Sequence, residues 1–400
     1  MKQRQAPAGE PDARLFDVTD PTHTVALKAG AGGGPAFFGG IVPGHRYWFG
    51  VPTEAPPPRL LRPAQPLERA SLEGVEYLAI APAEFHAALE PLVAHRRAQG
   101  LDVATVTPQA VYDTFGAGRP DPEAIRALVQ ALPTLRYLLL AGDGASDPAG
   151  YDGEAGALRV VAPLTRTATL GETPADLLLG TGADGQTRVA IGRFPATSAR
   201  EVEAMVDKTI AWETQKEAPN VVVLSDDEPE FTTMASEIVS ALPGARPVQW
   251  VDVAQGNSRD EVIDALREAP VWLNFTGHGS PAQLCDEGIL TADDGATWQP
   301  AVIVAWTCLA GHFLHPTHDS LAETWLRSPR GGAVAFLGPV GETTPGEQRP
   351  FIQAFYRALH DQSRLGDAWC VALQIDGSPD VALGYTILGD PALILAPTRP

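Results

Sequence analysis

The sequence predicts an α/β protein in which two successive strand–helix series surround parallel β-structure, with a small β-rich segment in front. Three observations carry this expectation. Short apolar runs at 137–140, 221–224, 271–276 and 301–307 are bounded by Gly, Pro or Asp and show little polar alternation, as strands covered on both faces do. Between them lie stretches of helical period with capping residues at their starts. Strands and helices alternate, which means a parallel sheet with helices on both sides.

Composition sets the outer bounds. The chain has 400 residues, 44% of them apolar and 20% charged, enough for a large core and unlike a disordered chain. Net charge is 29 − 49 = −20, a field that repels nucleic acid and anionic membranes and favours neutral or basic partners. No apolar run reaches the roughly 18 residues of a membrane span. Met1 to Pro7 carry no signal-peptide pattern, so a cytoplasmic location is expected as written, and a secreted or cell-surface one if the chain is a fragment. The three cysteines, Cys285, Cys308 and Cys370, form no CxxC pair. Neither a disulfide framework nor a structural zinc site is expected, and no cofactor motif is present.

Taken in order, residues 1–70 read as short strands (24–27, 36–38, 46–49) separated by Gly-rich turns. The Gly-rich stretch 29–34 lacks a following Lys-Ser/Thr and is not a phosphate loop. Pro56, Pro57 and Pro58 begin a semi-rigid linker. Residues 71–218 make the first strand–helix series: a strand at 75–80, a helix from Pro82 to Gln99 stopped by Gly100, a strand at 101–106, a helix at 122–132, a strand at 137–140 tipped by Asp143, and a strand at 188–191. Ser198 and Glu201 then cap a helix. Residues 219–400 repeat the pattern, with strands at 221–224, 271–276, 301–307 and 332–337 and a Ser320/Glu323 capping box. Two such series form two sheets or one long sheet of two halves.

The chemistry gathers at two strand tips. The run 271–276 is followed by Gly277-His278-Gly279-Ser280, and the run 301–307 by Cys308. Ligands sit beyond the carboxyl ends of strands in open α/β sheets. An imidazole and a thiol 308 − 278 = 30 residues apart can therefore meet in one crevice and perform nucleophilic chemistry. The Gly279 N–H beside His278 is placed to donate to an oxyanion. Singly, either residue is more often structural; the flanking glycines and the crossover between the strands favour the pair.

These residues carry a family resemblance. Asn274 to Ser280 and Ala305 to Phe313 resemble the gingipain family of cysteine peptidases, which have a caspase-like fold. So do 137–143, the Ile191-Gly192-Arg193 segment, 320–323 and 388–393. Coverage is roughly 71–396, in the right order. The resemblance implies a caspase-like parallel-sheet sandwich of two αβ subdomains, with His278 and Cys308 as catalytic dyad. It also implies a protein or peptide substrate, with an activating partner or pro-segment as a further expectation. Asp176, in Thr173-Pro174-Ala175-Asp176, resembles the segment where arginine-specific members place their specificity aspartate, which implies a basic P1 residue. The 338–344 loop lacks the tryptophan those members place near that pocket.

The expected activity is that of a cysteine endopeptidase: Cys308 attacks the scissile carbonyl, His278 moves the protons, the N–H groups of Gly279 and Cys308 hold the oxyanion, and Asp143 is a candidate orienting residue. A sortase-like transpeptidase of the same fold and a catalytically silent binding module are the alternatives. No metal is expected. His312, His315 and His318 are interrupted by Pro316, and Asp226-Asp227-Glu228 reads as a solvated loop without full calcium-ligand spacing.

Overall fold

The computed structural model describes residues 4–5, 14–20, 23–27, 37–38, 42–50, 64–144, 160–215, 219–243, 247–256, 258–268, 271–315 and 318–395; the Gly-rich stretch 29–34 and Pro56 to Pro58 lie outside them. Two compact units are present, Met1–Ala64 and Gln65–Pro400. In the first, strand β1 (Arg14–Asp17) pairs antiparallel with β2 (Val25–Leu27) and β3 (Tyr47–Gly50). The short pair Arg4–Gln5 and Phe37–Phe38 adds to its β character.

The second unit is one ten-stranded sheet with helices on both faces. From one edge the order is β11 (Val248–Asp252), β10 (Asn220–Ser225), β12 (Val271–Thr276), β13 (Ala301–Trp306), β14 (Ala333–Pro339), β15 (Tyr385–Leu388), β9 (Ala190–Phe194), β6 (Tyr137–Ala141), β4 (Tyr77–Ile80) and β5 (Val103–Val106). Every neighbour pair is parallel except β14 with β15. Of the two arrangements compatible with the sequence, one long sheet is the one adopted. The C-terminal strand β15 joins its halves. The hairpin of β7 (Leu164–Thr167) and β8 (Gly171–Pro174), and the strands β11 and β15, carry no clear apolar run and escaped the sequence reading.

Side chains alternate across the sheet. Leu273, Phe275, Ile303 and Ala305 bury with α1 (His86–Ala98), α4 (Ala199–Thr214), α6 (Ser258–Glu268) and α7 (Leu321–Arg327). Trp272, Val302, Val304 and Trp306 bury with α5 (Pro229–Ala241), α8 (Pro345–Ala358) and α9 (Leu365–Ala372). Across the first half, α2 (Pro108–Phe115) and α3 (Pro122–Gln130) cover Leu78, Ile80, Leu138 and Leu140. Helix starts are set locally. Ser198 Oγ accepts from the Glu201 N–H, and Ser320 with Glu323 closes a full capping box, as the sequence predicts; Thr344 with Glu347 closes a second. Among the described residues, no helix is long and apolar enough to cross a membrane.

The Ile191-Gly192-Arg193 segment has a physical reason. A Cβ on Gly192 would lie 2.4 Å from the Gly389 carbonyl, so only glycine lets β9 and the end of β15 approach. Arg193, fully buried, donates from Nε and Nη2 to both oxygens of Asp176 at 2.7 and 2.9 Å and from Nη1 to the Gly142 and Val160 carbonyls. This corrects the expected role of Asp176. Its carboxylate is 1% exposed and already neutralised by a bidentate guanidinium, so it is no open pocket floor for a substrate side chain. The Phe313 ring, from the chain after Cys308, covers the same guanidinium at 4.7 Å.

Removing one member of a buried ion pair leaves an uncompensated charge, at a cost of about 3–5 kcal/mol. Urea titration of Arg193→Met and Asp176→Leu is expected to show losses of that order. The double replacement Arg193→Met/Asp176→Leu should lose less than the sum. Strict additivity would contradict the pairing.

Candidate active site

Register places the two candidate residues. Strands β12 and β13 pair parallel without a slip, from Val271 opposite Ala301 to Thr276 opposite Trp306. The offset between partners, 306 − 276 = 30, equals 308 − 278. His278 and Cys308 therefore leave adjacent strand ends at the same height, on backbones about 4.8 Å apart at the ladder. The ladder continues one step further, because Gly277 N–H donates to the Trp306 carbonyl at 3.2 Å.

Glycines let the two tips close on each other. A Cβ on Gly277 would lie 2.6 Å from the Asp226 Cβ, and one on Gly279 would lie 2.2 Å from Thr307 Oγ1 and 3.1 Å from the Cys308 carbonyl. No side chain fits at either place, so the His278 loop packs backbone-first, at Gly277 against Asp226 and at Gly279 against Thr307 and the Cys308 carbonyl. His278 carbonyl and Ser280 N–H pair with Cys285 and Gln283 at 2.9 and 3.0 Å. Gly279 sits between them as a non-hydrogen-bonded bridge position opposite Leu284, which turns its own N–H away from that ladder.

The imidazole has a carboxylate partner that sequence reading missed. His278 Nε2 and Glu228 Oε1 are 3.0 Å apart, with half of each side chain exposed, and Phe231 meets the ring edge-on at 5.1 Å. The loop below is held by Asp226, buried, whose Oδ2 accepts the His278 N–H at 2.9 Å. Burial raises the Asp226 carboxyl against the hydrogen bonds that hold it down. The 226–228 segment is thus part of the site and not a plain solvated loop. Ser225 pairs with Thr276, so these acids follow a third neighbouring strand tip, an adjacency the sequence does not show.

Asp143 does not orient the imidazole. Its Oδ1 takes the Gly144 N–H at 2.9 Å and faces Arg327 Nη2 at 3.3 Å. Arg327 also pairs with Asp319 and Glu323, which makes Asp143 a member of a structural cluster at the tip of β6.

Cys308 is half-buried, and its Sγ donates to the Thr343 carbonyl at 3.3 Å. Burial pushes its thiol up, and the negative fields of Glu342 and Glu347 add to this, which favours the protonated thiol. Cys285 is buried, held protonated by burial and the Asp226 carboxylate, and Cys370 is pushed up to about 12 by burial. After Cys308 the chain lies along the 339–341 segment: Leu309 N–H donates to Gly341 and Gly311 N–H to Pro339.

His312 turns its Nδ1 to the Val340 carbonyl at 2.7 Å, while His315 and His318 face each other with Nδ1 atoms 3.3 Å apart. The three do not converge. Among the described residues, the group of three or more metal-type ligand side chains is Asp226, Asp227 and Glu228, with one oxygen each within 4.8 Å of the others. Asp226 and Glu228 already serve His278.

This geometry agrees with what the chain is similar to. The sequence model of peptidase family C25 matches residues 70–396. The Arg-specific cysteine proteinase gingipain R (RgpB) superposes with a TM-score of 0.65 at 17% identity, over 82% of this chain and 80% of that one. The complex of Porphyromonas gingivalis RgpB pro- and mature domains gives 0.65 at 18% identity, over 80% and 79%. No curated protein matches by sequence. With a thiol and an imidazole on neighbouring strand tips of this caspase-like sheet, the chain belongs to peptidase family C25, the gingipain family of cysteine-type peptidases.

Proposed function

We propose that the chain is an endopeptidase in which Cys308 and His278 form the catalytic dyad. The observation that carries this reading is their equal height beyond two in-register strands, with Gly279 pressed against the Cys308 peptide. His278 takes the thiol proton, and the Cys308 sulfur bonds to the scissile carbonyl carbon. The carbonyl electrons move to oxygen, where the N–H groups of Gly279 and Cys308 receive the charge. The imidazolium then protonates the leaving nitrogen and the C–N bond breaks. Water, deprotonated by His278, releases the acyl group and the thiol reforms. Glu228 orients the ring and balances its charge. Capture of the same acyl-enzyme by an amine would make a transpeptidase, and added amine nucleophiles distinguish the two. A pro-segment is the natural occluder of such a crevice, in line with the pro-domain complex of RgpB.

Replacing Cys308 or His278 by Ala is expected to lower peptide cleavage by more than about 10³-fold with an unchanged far-UV CD spectrum. Glu228→Gln should give an intermediate loss. Phenanthroline should leave turnover intact while iodoacetamide stops it; chelator inhibition reversed by zinc would contradict a dyad without metal.

A basic P1 side chain remains the favoured substrate, through a different acid from Asp176. Glu342, partly exposed in the loop behind Cys308, is one carboxylate whose field reaches the thiol. The net charge of −20 adds long-range attraction. In a P1-varied peptide series, Glu342→Gln is expected to reduce kcat/KM for Arg and Lys substrates by about 10-fold and to spare apolar ones. An unchanged profile, or a wild-type preference for acidic P1, would remove Glu342 from the pocket.

A further inference from the structure

A buried polar nest lies behind the nucleophile, and the chemistry above does not use it. Gln348, on α8 and 2% exposed, donates from Nε2 to the Thr307 carbonyl at 3.1 Å and faces Thr343 Oγ1 at 3.0 Å. Thr307 is the residue before Cys308, and the Thr343 carbonyl is the group that accepts the Cys308 thiol. One amide thus ties the Thr307 carbonyl, just before Cys308, to the side chain of the residue whose carbonyl accepts the thiol hydrogen bond. The orientation of the amide is fixed by chemistry, because a carbonyl oxygen can only accept and the –NH₂ must face Thr307. Tyr385 OH also contacts Thr307, 3.3 Å from both its N and its O.

We propose that Gln348 is a positioning residue for the nucleophile, setting the sulfur relative to His278 by clamping Thr307 and Thr343 together. The proposal rests on Cys308 being the nucleophile. A second observation separates it from plain packing: Gln348 Oε1 is buried and accepts no hydrogen bond from a protein group among the described residues. A buried acceptor without a partner is costly, and an apolar side chain of the same length would avoid that cost. Stability alone would thus favour methionine here. The amide is justified by what its –NH₂ holds, as polar groups at functional sites often are at the expense of stability. Gln348 is too deep to touch substrate.

The test is steady-state kinetics and thermal melting of wild type, Gln348→Met and Gln348→Glu, with Cys308→Ala alongside. Gln348→Met removes the donors at constant length, and Tyr385 still covers the Thr307 carbonyl. It is expected to lower kcat by about 10- to 100-fold, the effect of a misplacement of about 1 Å, with KM within about twofold and a melting temperature no lower than wild type. Gln348→Glu sets an acceptor against the Thr307 carbonyl when ionised and regains one donor when protonated. Its deficit relative to wild type should therefore shrink as pH falls from 8 towards 5.5. An unchanged kcat in Gln348→Met, or a rise in KM alone, would overturn the proposal. Failure of both variants to fold would also overturn it, by assigning Gln348 to stability. Full activity in Cys308→Ala would instead remove the nucleophile assignment on which it rests.

Discussion

The site depends on the unslipped parallel pairing of Val271–Thr276 with Ala301–Trp306. In a strand, a shift of one residue sends every side chain to the opposite face. A slip here would put Trp272 and Trp306 into the wrong layers and carry His278 away from Cys308. Several groups hold the register. Apolar residues fill both faces of both strands. Asn274, fully buried in mid-strand, donates to the Val222 carbonyl on the neighbouring β10 and accepts from Tyr356 OH on α8. The glycines at 277 and 279 then decide what the register delivers: a Cβ at 279 would force the two tips apart, and one at 277 would push the loop off Asp226.

The chain after Cys308 packs across both halves of the sheet that β15 joins. Phe313 lies on the Arg193 guanidinium, and a Cβ on Gly144, at the tip of β6, would meet Leu314 at 2.3 Å and Phe313 at 2.7 Å. Arg193 is in turn fixed by Asp176. The Asp176–Arg193 pair therefore supports the segment after Cys308 from the first half of the sheet. Burial of a charge pair is a weak route to stability, but the bidentate geometry fixes how Arg193 presents its guanidinium to Phe313.

What was legible in the sequence was what the local chain decides. Continuous apolar runs marked the buried strands, Ser320 and Glu323 marked a helix start, and the thiol and imidazole stood where strands end. Partner choice between distant side chains was not legible. Asp176 and Asp143 are acids at element ends, and nothing in their own segments reveals that Arg193 and Arg327 claim them. Glu228 was missed for the opposite reason: its neighbours looked solvent-facing, and only the adjacency of β10 to β12 brings it to the imidazole. Gln348 sits in a helix whose amphipathic pattern explains its burial without revealing its bonds.

The most direct test of the account is to map where a peptidyl chloromethyl ketone attaches, by mass spectrometry of the digested protein, in wild type and in His278→Ala. The account predicts a single modification on Cys308 that slows by about 10²-fold or more when the imidazole is removed, the usual worth of a positioned base. Modification of Cys285 or Cys370 in place of Cys308, or labelling of Cys308 at an unchanged rate in His278→Ala, would contradict it.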